Sequence, residues 1–193
     1  MTGQPHDRAR RDARVGPDAF PLVAFADAPV GPWRWTRRGR FSRDLDLRAG
    51  DRVLASYRAH GFGGREAIAS TAGQVWHVRT QGWVGRTVEV RAEGATSPTV
   101  RARLGWFGYA QVTLADGREV SWRPRGFWGR HWEFTNSGGM TLVSLDCGLG
   151  SLRHGIGVTI APGTAADPAT AALVVLGFDL LRRMQQAMLA IAH

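Results

Sequence analysis

The chain has no lysine, a single cysteine and only two tyrosines among its 193 residues. One cysteine excludes an internal disulfide, so the fold must be held by its core. It suits a reducing compartment, or a protein indifferent to redox. A bilayer-spanning helix needs roughly 20 apolar residues. The uninterrupted apolar run at residues 171–178 ends at Phe178, and Asp179, Arg182 and Arg183 follow it. Charges there would sit near the bilayer centre, at ~2.5 kcal/mol or more each. The first twenty residues carry arginine but lack the apolar segment of a secretion signal. The expectation is a cytoplasmic protein that is not integral to a membrane. At 44% hydrophobic and 21% charged, the composition is that of an ordinary globular domain.

The absence of lysine makes all 25 basic residues arginine, against 16 acids, for a net charge of +9. Two readings are open. Arginine in place of lysine, with abundant alanine and glycine, is what a GC-rich genome produces whatever the function. Alternatively, arginine grips phosphate bidentately and stacks on aromatic rings, which would suit nucleic acid or anionic lipid. The charge is spread out: residues 1–48 hold 10 arginines and 6 acids, and residues 49–193 hold 15 and 10. No long basic helix concentrates it.

Residues 1–19 are polar and charged, and the composition predicts a disordered tail. Residues 20–193 then form one domain, entered through a segment punctuated by Pro21, Pro29 and Pro32. From Trp33 to Ile160 the chain reads as antiparallel β. Period-two alternation marks strands at 52–58, 66–71, 74–80, 87–93 and 99–104. In 74–80, Trp76 and Val78 share one side, with His77 and Arg79 on the other. Asp116-Gly117 between two alternating runs predicts a hairpin with a type I′ turn, placing Val112 and Leu114 on one face with Val120 and Trp122. Further strands are expected at 131–135, 140–145 and 155–160. Successive strands without intervening helices exclude a parallel α/β fold.

One helix follows, at about 168–192. Asp167 is the expected N-cap and Pro168 the first helical residue. Its first half is apolar all round, so it must be enclosed by protein. In its second half Asp179, Arg182, Arg183 and Gln186 recur at i, i+3, i+4 and i+7 as a polar stripe. An Asp179–arginine pair there would contribute a few tenths of a kcal/mol if exposed.

Four features belong together: the aromatic-rich start WRWTRRGRFSRDLD at residues 33–46, the Asp-Gly hairpin followed by Trp122, the segment FWGRHWEF around Trp128 and Trp132, and the terminal PATAALVVLGFDLL. An antiparallel β meander ending in one hydrophobic helix resembles the tubby C-terminal-like superfamily, which includes tubby proteins, phospholipid scramblases and LURP-one-related proteins. The resemblance covers about residues 30–190. It implies an all-β fold with one C-terminal helix: a closed or nearly closed antiparallel barrel of about ten to twelve strands around that buried helix. Tubby domains bind phosphoinositide head groups through basic residues, and scramblases act at membranes. The resemblance thus implies a non-enzymatic binding module at anionic lipid surfaces, with no cofactor.

Individual residues carry weaker signals. His131 and Glu133 share a strand face, either as a metal or acid/base pair or as a solvated face. No pair of ligands has the spacing of a zinc site. Cys147 has no motif around it, and Ser137 and Ser151 lack the setting of a hydrolase nucleophile. Gly61-Phe62-Gly63-Gly64 precedes a strand, so it is a hairpin loop and not a phosphate cradle. The eight tryptophans either fill the core or stack on bases, the latter giving a nucleic-acid-binding barrel. The densest mixture of arginine and aromatics is at Trp33–Arg40. Arg34, Arg37, Arg38 and Arg40 are the expected contacts if the protein meets an anionic surface; a charged edge strand is the alternative. A small enzyme with a dispersed site is a third class.

Overall fold

The computed structural model describes residues 21–29, 31–39, 42, 44–60, 65–82, 87–126, 129–148 and 155–191, the side chains of 189–191 excepted. The expected tail, Arg40, residues 61–64 and Ser151 lie outside these. The elements in chain order are β1 (Trp33–Arg37), β2 (Leu45–Ala49), β3 (Arg52–His60), β4 (Glu66–Thr71), β5 (Gln74–Gln81), β6 (Thr87–Ala92), β7 (Val100–Leu104), β8 (Ala110–Leu114), β9 (Glu119–Arg125), β10 (His131–Asn136), β11 (Thr141–Asp146), β12 (Ile156–Ile160) and α1 (Pro168–Ile191).

Each strand pairs antiparallel with its neighbours in the chain, and β1 pairs with β12 through Trp33↔Val158 and Trp35↔Ile156. The sheet therefore closes on itself and leaves no free edge. Alternation sets which side chains face inward. In β1, Trp33 and Trp35 are buried while Arg34 and Arg37 are exposed. In β8 and β9, Val112, Leu114, Val120 and Trp122 are all buried, as the hairpin pattern predicts. The turn itself differs from the expected type I′. Only Gly117 has positive φ, at 84°, and Asp116 does not. Leu114 N–H bonds the Arg118 carbonyl and Gly117 N–H bonds the Leu114 carbonyl, which makes a three-residue loop with glycine in the left-handed position. Asp116 carries a Cβ that resists positive φ, so one left-handed residue replaces two.

α1 fills the barrel. It packs on β5, β6 and β7 on one side of the ring and on β11 on the other. Residues 172–176 are buried in five consecutive positions, so the helix has no solvent face there. Burying Leu173, Val174, Val175, Leu176, Phe178, Leu180 and Leu181 contributes on the order of 10–20 kcal/mol gross. At Gly177 the wall comes closest: a Cβ there would lie 2.8 Å from Leu145 Cδ1 and 2.9 Å from Phe134 Cε2, both in the core. Phe178 stacks on Trp35 at 4.4 Å and meets Tyr57 edge-on at 4.8 Å. The helix starts as its sequence predicts, with Ala169 N–H bonded to Asp167 Oδ1 at 2.9 Å.

An antiparallel ring places its connections alternately at two ends. Arg118, in the β8–β9 turn, pairs with Asp167 at 2.8 Å, so α1 begins at that end, the N-mouth. Gly108, between β7 and β8, lies against Met184, so α1 ends at the other, the C-mouth.

Candidate functional site

The outer wall accounts for many of the arginines. Three carboxylates are nearly buried there, each beneath arginines. Asp46 accepts from Arg38 (Nη2–Oδ1 2.8 Å) and Arg48 (3.5 Å). Glu89 accepts from Arg101 on β7 at 2.8 Å and from Gln81 on β5 at 2.9 Å. Glu133 faces Arg123 at 3.3 Å and Arg125 at 3.7 Å, and accepts from Thr141 at 3.0 Å. Register sets these pairs, since Glu89 stands opposite Arg101 and Glu133 opposite Arg123. Cross-strand pairs of opposite charge stabilise the sheet. These arginines belong to the wall.

Inside the barrel the first part of the polar stripe is buried and meets a partner from the sheet, while Arg183 is half-buried and Gln186 exposed. Asp179 is 0% exposed and Arg182 8%. Tyr57 on β3 donates its hydroxyl to Asp179 Oδ1 at 2.5 Å and accepts from Arg182 Nε at 3.2 Å. Arg182 Nη2 also reaches Asp179 Oδ1 at 3.2 Å, and Arg183 Nε reaches Oδ2 at 2.5 Å. Burial and the adjacent Asp179 carboxylate push the Tyr57 phenol well above its usual range, so it stays a neutral donor. Burial works against the charge on Arg182, and the Tyr57 and Asp179 oxygens more than offset it. Two guanidiniums share this one carboxylate just beneath the C-mouth, and Arg182 also donates to Gln186 Oε1 at 3.0 Å.

The two mouths differ in chemistry. The C-mouth connections are residues 38–44, 61–65, 82–86, 105–109, 126–130 and 147–155. Their described residues hold Arg38, Arg65 and Arg130 against Asp44, a net +2, and Arg38 is the one held by the wall carboxylate Asp46. The N-mouth connections, 50–51, 72–73, 93–99, 115–118, 137–140 and 161–167, hold one arginine and four acids, a net −3. Among the described residues, the C-mouth connections hold the aromatics Trp106, Phe107 and Tyr109 and the N-mouth ones hold none. Exposed Arg37, Arg65, Arg103 and Arg130 lie at or beside this mouth and have no ion-pair partner among the described residues.

Between β7 and β8 the loop is resolved in full. Gly105 N–H bonds the Tyr109 carbonyl at 2.8 Å and closes the base. Trp106 is 77% exposed and Phe107 88%. Phe107 has φ 60° and ψ 22°, the left-handed region that a bulky side chain disfavours. A Cβ at Gly108 would meet Met184 Sδ at 2.9 Å and Trp132 Cη2 at 3.1 Å, so the base sits tightly on the core.

The structure separates the residues singled out from sequence. Arg34 and Arg37 are exposed on β1, Arg38 is tied to Asp46, and Arg40 lies outside the described residues. Trp33 and Trp35 are buried, so the aromatic half of the Trp33–Arg40 pattern is strand alternation and not a surface cluster. His131 pairs with Asp146 at 2.8 Å across β10–β11 and Glu133 pairs with arginines, so the two do not act together. Among the described residues, no group of His, Cys, Asp and Glu is placed to hold a metal ion. Cys147 is half-buried, and burial beside Asp146 pushes its thiol up to about 12, far from a nucleophile's range. Ser137 is exposed in an N-mouth turn. Trp76, Trp122 and Trp132 fill the core. Trp106 and Phe107 went unnoticed in the sequence. Their signal is a recurrence: Gly-aromatic-X-Gly at 61–64, 82–85, 105–108 and 126–129, three times followed by arginine.

Among the described residues no helix is long and apolar enough to cross a membrane. Compared with protein-family models, with curated proteins and with solved structures, the chain finds no match.

Proposed function

We propose that the barrel is a non-enzymatic binding module that docks its C-mouth on anionic lipid surfaces. The observation that carries this reading is the charge segregation between the mouths among the described residues: exposed Arg37, Arg65, Arg103 and Arg130 without an ion-pair partner at one, a net −3 at the other, and the outer-wall arginines engaged by Asp46, Glu89 and Glu133. A genome-wide preference for arginine would raise charge everywhere and does not sort it between two ends. An anionic surface attracts one mouth and repels the other, which orients the barrel as well as holding it. A closed twelve-strand barrel filled by one C-terminal helix is compatible with a tubby-like barrel, and lipid head groups are what that resemblance implies.

The contacts are Arg37, Arg65, Arg103 and Arg130, of which Arg37 also belongs to the set Arg34, Arg37, Arg38 and Arg40 expected from sequence. Each arginine near an anionic membrane contributes about 1 kcal/mol. Changing Arg37, Arg65, Arg103 and Arg130 together to Gln should weaken sedimentation with phosphatidylserine-containing vesicles by about two to three orders of magnitude, on the same per-residue figure. Added salt should weaken the wild type in parallel, and Arg52→Gln, at the N-mouth, should change nothing. A larger loss from Arg34→Gln with Arg38→Gln would move the contact to the β1 face. Binding to oligonucleotides but not to vesicles would favour the nucleic-acid reading instead.

A further inference from the structure

We infer that Trp106 and Phe107 form an insertion tip that enters the head-group and upper acyl region of an anionic bilayer when the C-mouth docks. The inference rests on the docking reading above and adds to it a site, a depth and a lipid partner. Trp106, Phe107 and Tyr109 are the exposed aromatic residues of the described structure, and all three stand in one five-residue connection. Exposed large apolar side chains are ordinary when scattered singly. A cluster of them on one tip marks a surface that becomes covered.

The loop is built to hold its tip outward. Its base is closed by the Gly105–Tyr109 hydrogen bond, and Gly108 is seated against the ends of the Met184 and Trp132 side chains. The side chains of Trp106 and Phe107 stand in solvent outside the barrel. Phe107 keeps a left-handed backbone that glycine or asparagine would adopt more easily. A solvent-facing phenylalanine in a disfavoured backbone region buries little apolar surface on folding, and such outliers cluster at ligand contacts.

The surroundings select the partner. Arg103 stands at the foot of the same loop, and Arg130 flanks it on the β9–β10 connection. Cations around an aromatic tip match a bilayer, with anionic head groups at the level of the guanidiniums and an apolar layer beneath, where Trp and Phe settle. Single-stranded nucleic acid is bound differently, on aromatic platforms along a basic groove. Among the described residues the outer wall has no exposed aromatic side chain to serve as one.

The test uses the full chain and vesicles of phosphatidylcholine with phosphatidylserine. Trp106→Ser with Phe107→Asn removes both rings and gives position 107 a residue suited to its backbone. The double variant should keep a cooperative thermal transition, bind these vesicles about a hundredfold more weakly, at roughly tenfold per ring, and keep the wild-type dependence on salt. Phosphatidylcholine brominated in its acyl chains should quench a component of wild-type tryptophan fluorescence that Trp106→Phe lacks. Equal vesicle binding by the double variant and the wild type would overturn insertion and leave electrostatic docking standing. A wild type that ignores anionic vesicles at low salt would overturn both. Binding to oligothymidylate that the double variant loses, without vesicle binding, would assign the tip to bases.

Discussion

Leu176→Asp is expected to abolish the cooperative thermal transition. Leu176 is 0% exposed in the middle of the α1 segment enclosed on all sides. Removing its side chain alone would cost about 2–5 kcal/mol, as for other core truncations. The new carboxylate adds a desolvation penalty of several kcal/mol, because it has no free cation within reach. Arg182 and Arg183, nearly two turns further on, are already held by Asp179. Together these costs match or exceed the ~5–15 kcal/mol of a whole domain. Leu176→Met, which keeps volume and polarity, should cost less than about 1.5 kcal/mol and serves as the control. Circular dichroism during heating reads both. A sharp transition retained by Leu176→Asp would mean that the helix does not fill the barrel.

Asp179→Ala should destabilise by about 3–5 kcal/mol, the range for removing one partner of a buried ionic cluster. It leaves the guanidiniums of Arg182 and Arg183 without their carboxylate and the Tyr57 hydroxyl without its acceptor. Tyr57→Phe removes only the neutral member and should cost about 1–2 kcal/mol. Replacing the set with Asp179→Leu, Arg182→Met and Arg183→Met should recover most of the loss, because no charge is then left unpaired. Urea midpoints order the three variants. Equal midpoints for Asp179→Ala and Tyr57→Phe would show that the carboxylate is not what neutralises this cluster.

The architecture was legible because it follows from periodicity. Alternation in 74–80 and 87–93 gave β5 and β6 nearly to the residue, and a helix without a polar face could only lie inside the sheet. Asp167 and Pro168 marked its start through capping chemistry that is local in sequence. What was not legible depends on distance along the chain. Tyr57 and Asp179 are 122 residues apart, and only the closed ring brings them within a hydrogen bond. The polar stripe on α1 was therefore legible, but its partner on β3 was not. At Trp33–Arg40 the sequence left a surface cluster and a charged strand both open, and alternation sends the two tryptophans inward while Asp46 engages Arg38. The tip at Trp106–Phe107 was hidden because exposure of these two rings depends on how the β7–β8 connection sits on the barrel.

Hydrogen exchange of the full chain, with and without phosphatidylserine vesicles, tests the polarity of the barrel most directly. Bound protein should exchange more slowly at residues 37–39, 103–109 and 129–131 of the C-mouth. The N-mouth turns at 50–51, 115–118 and 137–140 should exchange as they do in free protein. Slowing at the N-mouth turns, or along the outer wall with the C-mouth unchanged, would contradict docking by the arginine- and aromatic-rich end.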